Sequence, residues 1–222
     1  MAAPVALAIA LHPAPATASG GPHVIDDAAV ETPGLCHLEN WVTFSSGNSG
    51  LLNIGPGCTR RAWPNLEIGG SLSHGWTRDG NETTVGLSPK LLLRSEERGW
   101  GLALTTSVGL GVDRGRVETL SAIVPLTIPA GERLRLNFNL GWHWTRVTRD
   151  HAVFVGAQAE IAIHPELNLM VEGFTRDTGK AGGQIGLRWT PGGGAVDMDL
   201  IVGRYIDGAT RDAVTIGLTL RR

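Results

Sequence analysis

Arg133-Leu134-Arg135-Leu136-Asn137-Phe138-Asn139-Leu140-Gly141-Trp142-His143-Trp144-Thr145 is the stretch on which the fold turns. Leu134, Leu136, Phe138, Leu140, Trp142 and Trp144 share one parity, and Arg133, Arg135, Asn137, Asn139, Gly141, His143 and Thr145 share the other. A strict period of two is a β-strand with one oily and one wet face. The run is roughly twice the length of an ordinary soluble strand. It ends in paired tryptophans, as strands do where they meet a membrane interface.

The pattern recurs on both sides of this segment. Upstream lie His37–Phe44 and Leu51–Cys58, then Asn65–Trp76 and Thr83–Arg94, separated by Asp79-Gly80-Asn81. Trp100 to Val112 alternates almost without fault, with large apolar residues against Gly, Ala, Ser and Thr. Arg116–Ile128 follows with weak alternation, and Pro129-Ala130-Gly131 turns into the opening stretch. Downstream come Ala152–Ile163, Leu167–Thr175, Gly182–Thr190, a run through Val196 and Val202, and a last run through Val214 and Leu220. No helix-period segment of useful length interrupts them. About twelve sequential hairpin strands predict an all-β fold, a closed up-and-down antiparallel barrel. Many runs have about 10 to 13 residues, enough for a tilted crossing of the bilayer.

Alternation alone does not separate a membrane barrel from a soluble one, whose apolar face points inward. The non-apolar face here is mostly Gly, Ser, Thr, Asn and Gln, which suits a polar lumen better than a water-facing exterior. With both termini in the periplasm, Trp76, Trp142 and Trp144 fall near the outer strand ends and Trp63, Trp100 and Trp189 near the inner ends. Two aromatic girdles thus follow from one topology. A low aromatic content of 5% and an Arg221-Arg222 terminus argue the other way.

The chain of 222 residues carries 31 glycines and a net charge of −2, with no basic tract that would suggest nucleic acid. Met1–Ser19 is Ala- and Pro-rich and uncharged apart from His12, and Ala16-Thr17-Ala18 supplies a cleavage-like exit. Residues 1–19 are expected to be a secretory signal whose basic leader lies upstream, 20–35 a periplasmic segment and 36–222 the barrel. Cys36 and Cys58 are the only cysteines. A hairpin centred on Gly47 sets them opposite one another, so a disulfide and an oxidising compartment are expected.

The polar face predicts a lumen lined by Glu39, Glu67, Lys90, Arg94, Arg133, Arg135, Glu160, Glu172, Arg188, Asp197 and Asp199. Neighbouring strands bring Glu67 near Lys90, Arg135 near Glu160, and Arg188 near Asp197. Such charges either select solutes or pair off and plug the lumen. The histidines show no metal-ligand spacing, and no cofactor is expected. His143 is expected to be a hydrogen-bonded lumen residue. Ser73 and His74 are adjacent, hence on opposite faces, and form no dyad. No nucleophile elbow, P-loop or dinucleotide fingerprint is present, so no enzymatic activity is expected.

Ile25-Asp26-Asp27, Thr32-Pro33-Gly34 and His37-Leu38-Glu39-Asn40, then Asn65-Leu66-Glu67-Ile68-Gly69 and Val124-Pro125-Leu126-Thr127-Ile128-Pro129, form an order that resembles the outer-membrane barrels of the MetA-pathway phenol-degradation family. The ending, Gly182-Gly183-Gln184-Ile185-Gly186-Leu187-Arg188-Trp189 on to Thr215-Ile216-Gly217-Leu218, resembles the closing strands of that family. The resemblance implies a β-barrel in the bacterial outer membrane that passes small compounds, hydrophobic or aromatic ones among them, and it supplies no catalytic residues. The expectation is therefore a passive channel whose partners are outer-membrane lipid and a small solute. The alternatives are a structural or adhesive barrel with a plugged lumen, a soluble all-β binding protein, and a lipid-acting barrel enzyme.

Overall fold

A computed structural model of the protein describes residues 21–147 and 149–222; the expected secretory signal lies outside them. The described residues form twelve strands: β1 (Cys36–Ser45), β2 (Ser49–Thr59), β3 (Leu66–Thr77), β4 (Gly80–Arg94), β5 (Gly101–Gly111), β6 (Arg116–Pro129), β7 (Leu134–Thr145), β8 (His151–His164), β9 (Leu167–Arg176), β10 (Gly182–Trp189), β11 (Val196–Arg204) and β12 (Ala213–Arg221). Each pairs antiparallel with its sequence neighbours, and β1 pairs with β12, so the sheet closes on itself. Closure leaves no strand edge unpaired. Among the described residues no helix is long and apolar enough to cross a membrane.

The side chains are sorted opposite to those of a soluble protein. Leu140, Leu200 and Ile216 on the outside are 59%, 54% and 53% exposed, while Thr127, Asn137 and Asp197 on the inside are wholly buried. Water does not tolerate a continuous belt of this kind, whereas hydrocarbon does. The inside-facing parity of β7 holds Arg135, Asn137 and Asn139, as its alternation requires.

Cys36 and Cys58 stand directly opposite in the β1–β2 register and are joined by a disulfide. The weak alternation of β6 has a local cause. A register shift beside Gly109 turns two consecutive residues, Glu118 and Thr119, toward the lumen: Thr119 covers Gly109, and Glu118 lies over Gly111. An extra residue in one strand of a pair interrupts the period of two. Cys36 and Arg221 both lie at what we term the proximal end; the β1–β2, β7–β8 and β11–β12 turns lie at the distal end. Trp63, Trp100 and Trp189 sit at the proximal end, and Trp76, Trp142 and Trp144 at the distal end. Trp76 meets Phe44 edge-on at 6.3 Å, and Trp142 stacks on His151 at 5.6 Å.

Candidate functional site in the barrel lumen

The described part of the stretch expected to lie in the periplasm, residues 21–35, instead runs inside the barrel. The chain leaves β1 through Leu35 and Gly34, whose amide donates to Thr59 O at 2.7 Å. Gly34 adopts φ +100 with the Arg61 side chain packed where a Cβ would stand, so the bend requires glycine. Moving inward, the Glu31 amide donates to Glu67 at 2.6 Å, and the Ala28 amide donates to the Thr127 hydroxyl at 2.9 Å. Asn139 clasps Asp26 through both backbone groups, at 2.8 and 2.7 Å. Ile25 marks the deepest point, packed with Val24 against Phe154, Phe174 and Ile206. The segment then doubles back. His23 reaches Glu172 and Asp199, Pro22 lies on Gly217, and Gly21 lies beside Thr219 near the proximal end. An apolar tip, Val24-Ile25, is thus followed by an acidic flank, Asp26-Asp27, each matched to what it meets.

Basic groups hold this plug and brace the wall. Lys90 Nζ lies 2.9 Å from Asp26 and 3.4 Å from Asp27. Arg135 bridges three carboxylates: Asp27 at 3.2 Å, Glu96 at 2.9 Å and Glu160 at 2.8 Å. Arg221 joins Glu31 at 3.2 Å and Asp197 at 2.7 Å, and Arg188 takes Asp199 at 2.8 Å. Glu172 accepts the amides of Val24 and Ile25 and the side-chain amides of Gln158 and Gln184. It also lies 2.6 Å from His23 Nδ1, while His23 Nε2 faces Asp199 at 3.3 Å. Both partners are carboxylates, an arrangement that the imidazolium form satisfies with two donors.

Of the residues singled out in the sequence, Glu39, Glu67, Lys90, Arg135, Glu160, Glu172, Arg188, Asp197 and Asp199 lie on the lumen parity of their strands. Glu67 stands opposite Lys90 in register, and Arg135 opposite Glu160. Arg188 stands opposite Asp199, not Asp197. Two candidates lie away from the lumen. Arg94 folds onto its own turn, donating to the carbonyls of Trp100 and Arg98 and covering the Trp100 ring at 4.3 Å. Arg133 is exposed in the turn before β7. His143 is not hydrogen-bonded at Nε2 within the described residues; it lies edge-on to Phe154 at 5.5 Å. Ser73 points inward to Asn53, and His74 outward to Thr83. Sequence reasoning missed Trp41, which shares the lumen parity of Glu39 and Thr43, and Arg221, which shares that of Thr215 and Thr219. It also missed the plug, whose one available signal was the apolar pair followed by two aspartates.

The plug leaves space on one side. A cavity of about 190 Å³ lies between its Gly21–Asp26 part and the wall of β1 to β5, where Glu39, Gly55, Glu67, Gly69, Lys90 and Thr105 line it. Further toward the distal end the lining is polar: Thr43 bonds Thr215 at 2.8 Å, and Ser107 bonds Ser121 at 2.6 Å. At the distal mouth Arg116 pairs with Glu118 at 2.8 Å, and Arg114 and Arg146 lie within 4.0 Å of the same carboxylate. The β11–β12 loop also turns inward, which is how Ile206 reaches the plug tip. Asp207 holds that loop. Partial burial opposes its ionisation, but the Thr210 hydroxyl and the amides of Ala209 and Thr210 outweigh it and keep its carboxyl below the ordinary range.

Gly156 shows how tightly the tip is seated: a Cβ there would strike the Ile25 side chain and come within 2.9 Å of the Phe174 Cβ. Gly156→Val adds a branched side chain that suits a strand but not this contact. It is expected to unseat Val24 and Ile25 while the barrel stays closed. Faster hydrogen–deuterium exchange confined to residues 22–28 is the expected readout, and unchanged exchange would show that the tip is not held there.

No curated protein matches the sequence. Among solved structures, the KdgM porin superposes with a TM-score of 0.64 at 7% identity, covering 83% of this chain and 98% of that one. The NanC porin gives 0.60 at 8% identity over 83% and 98%, and the COG4313 outer membrane channel from Pseudomonas putida F1 gives 0.58 at 12% over 89% and 98%. A second KdgM structure, TM-score 0.63 at 8% identity over 83% and 98%, is described as a complex with disordered oligogalacturonate. At these identities the likeness establishes the twelve-strand barrel fold alone. The sequence itself goes further, since residues 6–222 match the model of the family described as "Uncharacterised conserved protein UCP029691", and the chain belongs to that family.

Proposed function

We propose that the protein is a bacterial outer-membrane channel for small polar solutes, with its termini in the periplasm and its lumen narrowed by its own N-terminal segment. The observation that carries the reading is the polar cavity left between that segment and strands β1 to β5. A barrel meant only as a wall could fill this side as it fills the other, around Ile25, Phe154 and Phe174. The apolar exterior, the disulfide and the aromatic residues at both ends support an outer-membrane location. The barrels of similar fold are porins and channels by name, which supports transport over chemistry, and we assign no reaction to this chain.

The lining bears on the solute. Glycines, threonine and charged groups suit a hydrated, polar molecule. The aromatic or hydrophobic solutes implied by the family resemblance have support from one lumen residue, Trp41, which lies toward the distal half. Flux into proteoliposomes tests both. Monosaccharide-sized polar solutes are expected to enter faster than in protein-free vesicles, and oligosaccharides are expected to be excluded. Entry of small phenols alone, above their leak through the lipid, would favour the aromatic reading. The ion-paired plug favours a second reading, a closed structural barrel, which predicts no flux of any solute through the full chain and flux only once residues 22–33 are deleted.

A further inference from the structure

We propose that the passage beside the plug is selective for cations, an inference that rests on the channel reading and narrows its solute class. Among the described residues the proximal half of the lumen contains ten carboxyl groups: the three on the plug, Glu96, and those of the wall strands already described. Four permanently basic side chains among the described residues share that space: Lys90, Arg135, Arg188 and Arg221. Each of these is already held by carboxylates at 3.2 Å or less. His23 and His37 add at most one charge apiece. Carboxylates therefore outnumber cations in every protonation state of the two histidines.

The excess faces the open side. Among the described residues Lys90 is the one permanently basic side chain that lines the cavity, and it lies 2.9 Å from Asp26; Arg188 reaches Gly21 on the border but is bound to Asp199. Among the described residues Glu39 has one ion-pair partner, His37 at 3.9 Å. Glu67 is 9% exposed, accepts only the Glu31 amide among the described residues, and borders the cavity. Two carboxylates with no lysine or arginine within 4 Å among the described residues thus line a narrow space between low-dielectric walls. Such walls focus the field, draw counter-ions in and repel co-ions. The arginines of the distal mouth do not offset this. Arg114 and Arg116 are half exposed and pair with Glu82 and Glu118, so solvent and salt screen them.

The deciding experiment measures reversal potential in a planar bilayer with the full chain under a potassium chloride gradient. The expected permeability ratio of potassium to chloride is severalfold above one. Glu39→Gln combined with Glu67→Gln is expected to bring it close to one, and Glu39→Lys combined with Glu67→Lys to take it below one. Heat-dependent gel mobility verifies that each variant is a closed barrel. A wild-type ratio at or below one, or a ratio untouched by the Gln pair, would overturn the inference and leave the channel intact. Protein that carries no current at all would overturn both.

Discussion

Deleting residues 22–33 is expected to raise single-channel conductance on the order of tenfold, because the twelve-strand lumen then becomes a continuous aqueous path. The segment contributes the apolar tip beneath Ile206, the backbone clasped by Asn139, and the aspartates that hold Lys90 and Arg135. None of these belongs to the sheet. All twelve strand pairings and the Cys36–Cys58 bridge remain without it. The groups it leaves behind, Glu172 and Lys90 above all, regain water as the lumen floods, so the barrel itself is expected to stay closed. Bilayer recordings of the deletion beside the full chain decide the matter. Equal conductance would mean that the segment does not stand in the path.

Arg135→Ala is expected to be the most damaging single substitution. One guanidinium bridges Asp27 on the plug, Glu96 in the β4–β5 turn and Glu160 on the next strand. Removing it takes the arginine from Glu96 and Glu160 and leaves Asp27 to Lys90 at 3.4 Å. Loss of one partner of a buried ion pair costs about 3–5 kcal/mol, and the low end applies here because the Arg135 side chain is 19% exposed to lumen solvent. The conversion from the fast-migrating folded form to the heat-unfolded form should move to clearly lower temperature. Residues 22–33 should also exchange amide hydrogens faster. Arg135→Lys should recover only part of the loss, since one ammonium cannot span three carboxylates with a fixed fork. Glu160→Gln should cost much less, because Arg135 keeps Asp27 and Glu96. Parity between Arg135→Ala and the wild type would show that water already screens these pairs.

The difference between the Arg188–Asp199 pair and the expected Arg188–Asp197 pair is instructive. Asp197 and Asp199 share one face of β11, so alternation cannot distinguish them; a slip of two residues leaves every side chain on its own face. The length of the turn between β10 and β11 fixes the register, and it frees Asp197 for Arg221. Arg94 and Arg133 fail for a related reason. Parity assigns each a face, but the first is drawn into its turn by two carbonyls and an indole, and the second lies just before β7, its carbonyl held by the Ala162 amide and its side chain exposed.

What the sequence by itself determined is whatever depends on neighbours along the chain. The period of two from Leu134 to Thr145 sets one face for lipid and one for the lumen, the turn residues set the hairpins, and equal spacing about Gly47 sets Cys36 against Cys58. Only the tertiary structure decided what fills the lumen. Residues 21–35 have no period, and their partners lie far away: Lys90 is 63 and 64 positions from the two aspartates, Arg135 is 108 from Asp27, and Glu172 is 149 from His23. Such pairings exist only once twelve strands have closed and gathered their inward charges into one space, where an acidic strap with an apolar tip finds the bases and the aromatic rings that local sequence cannot bring together.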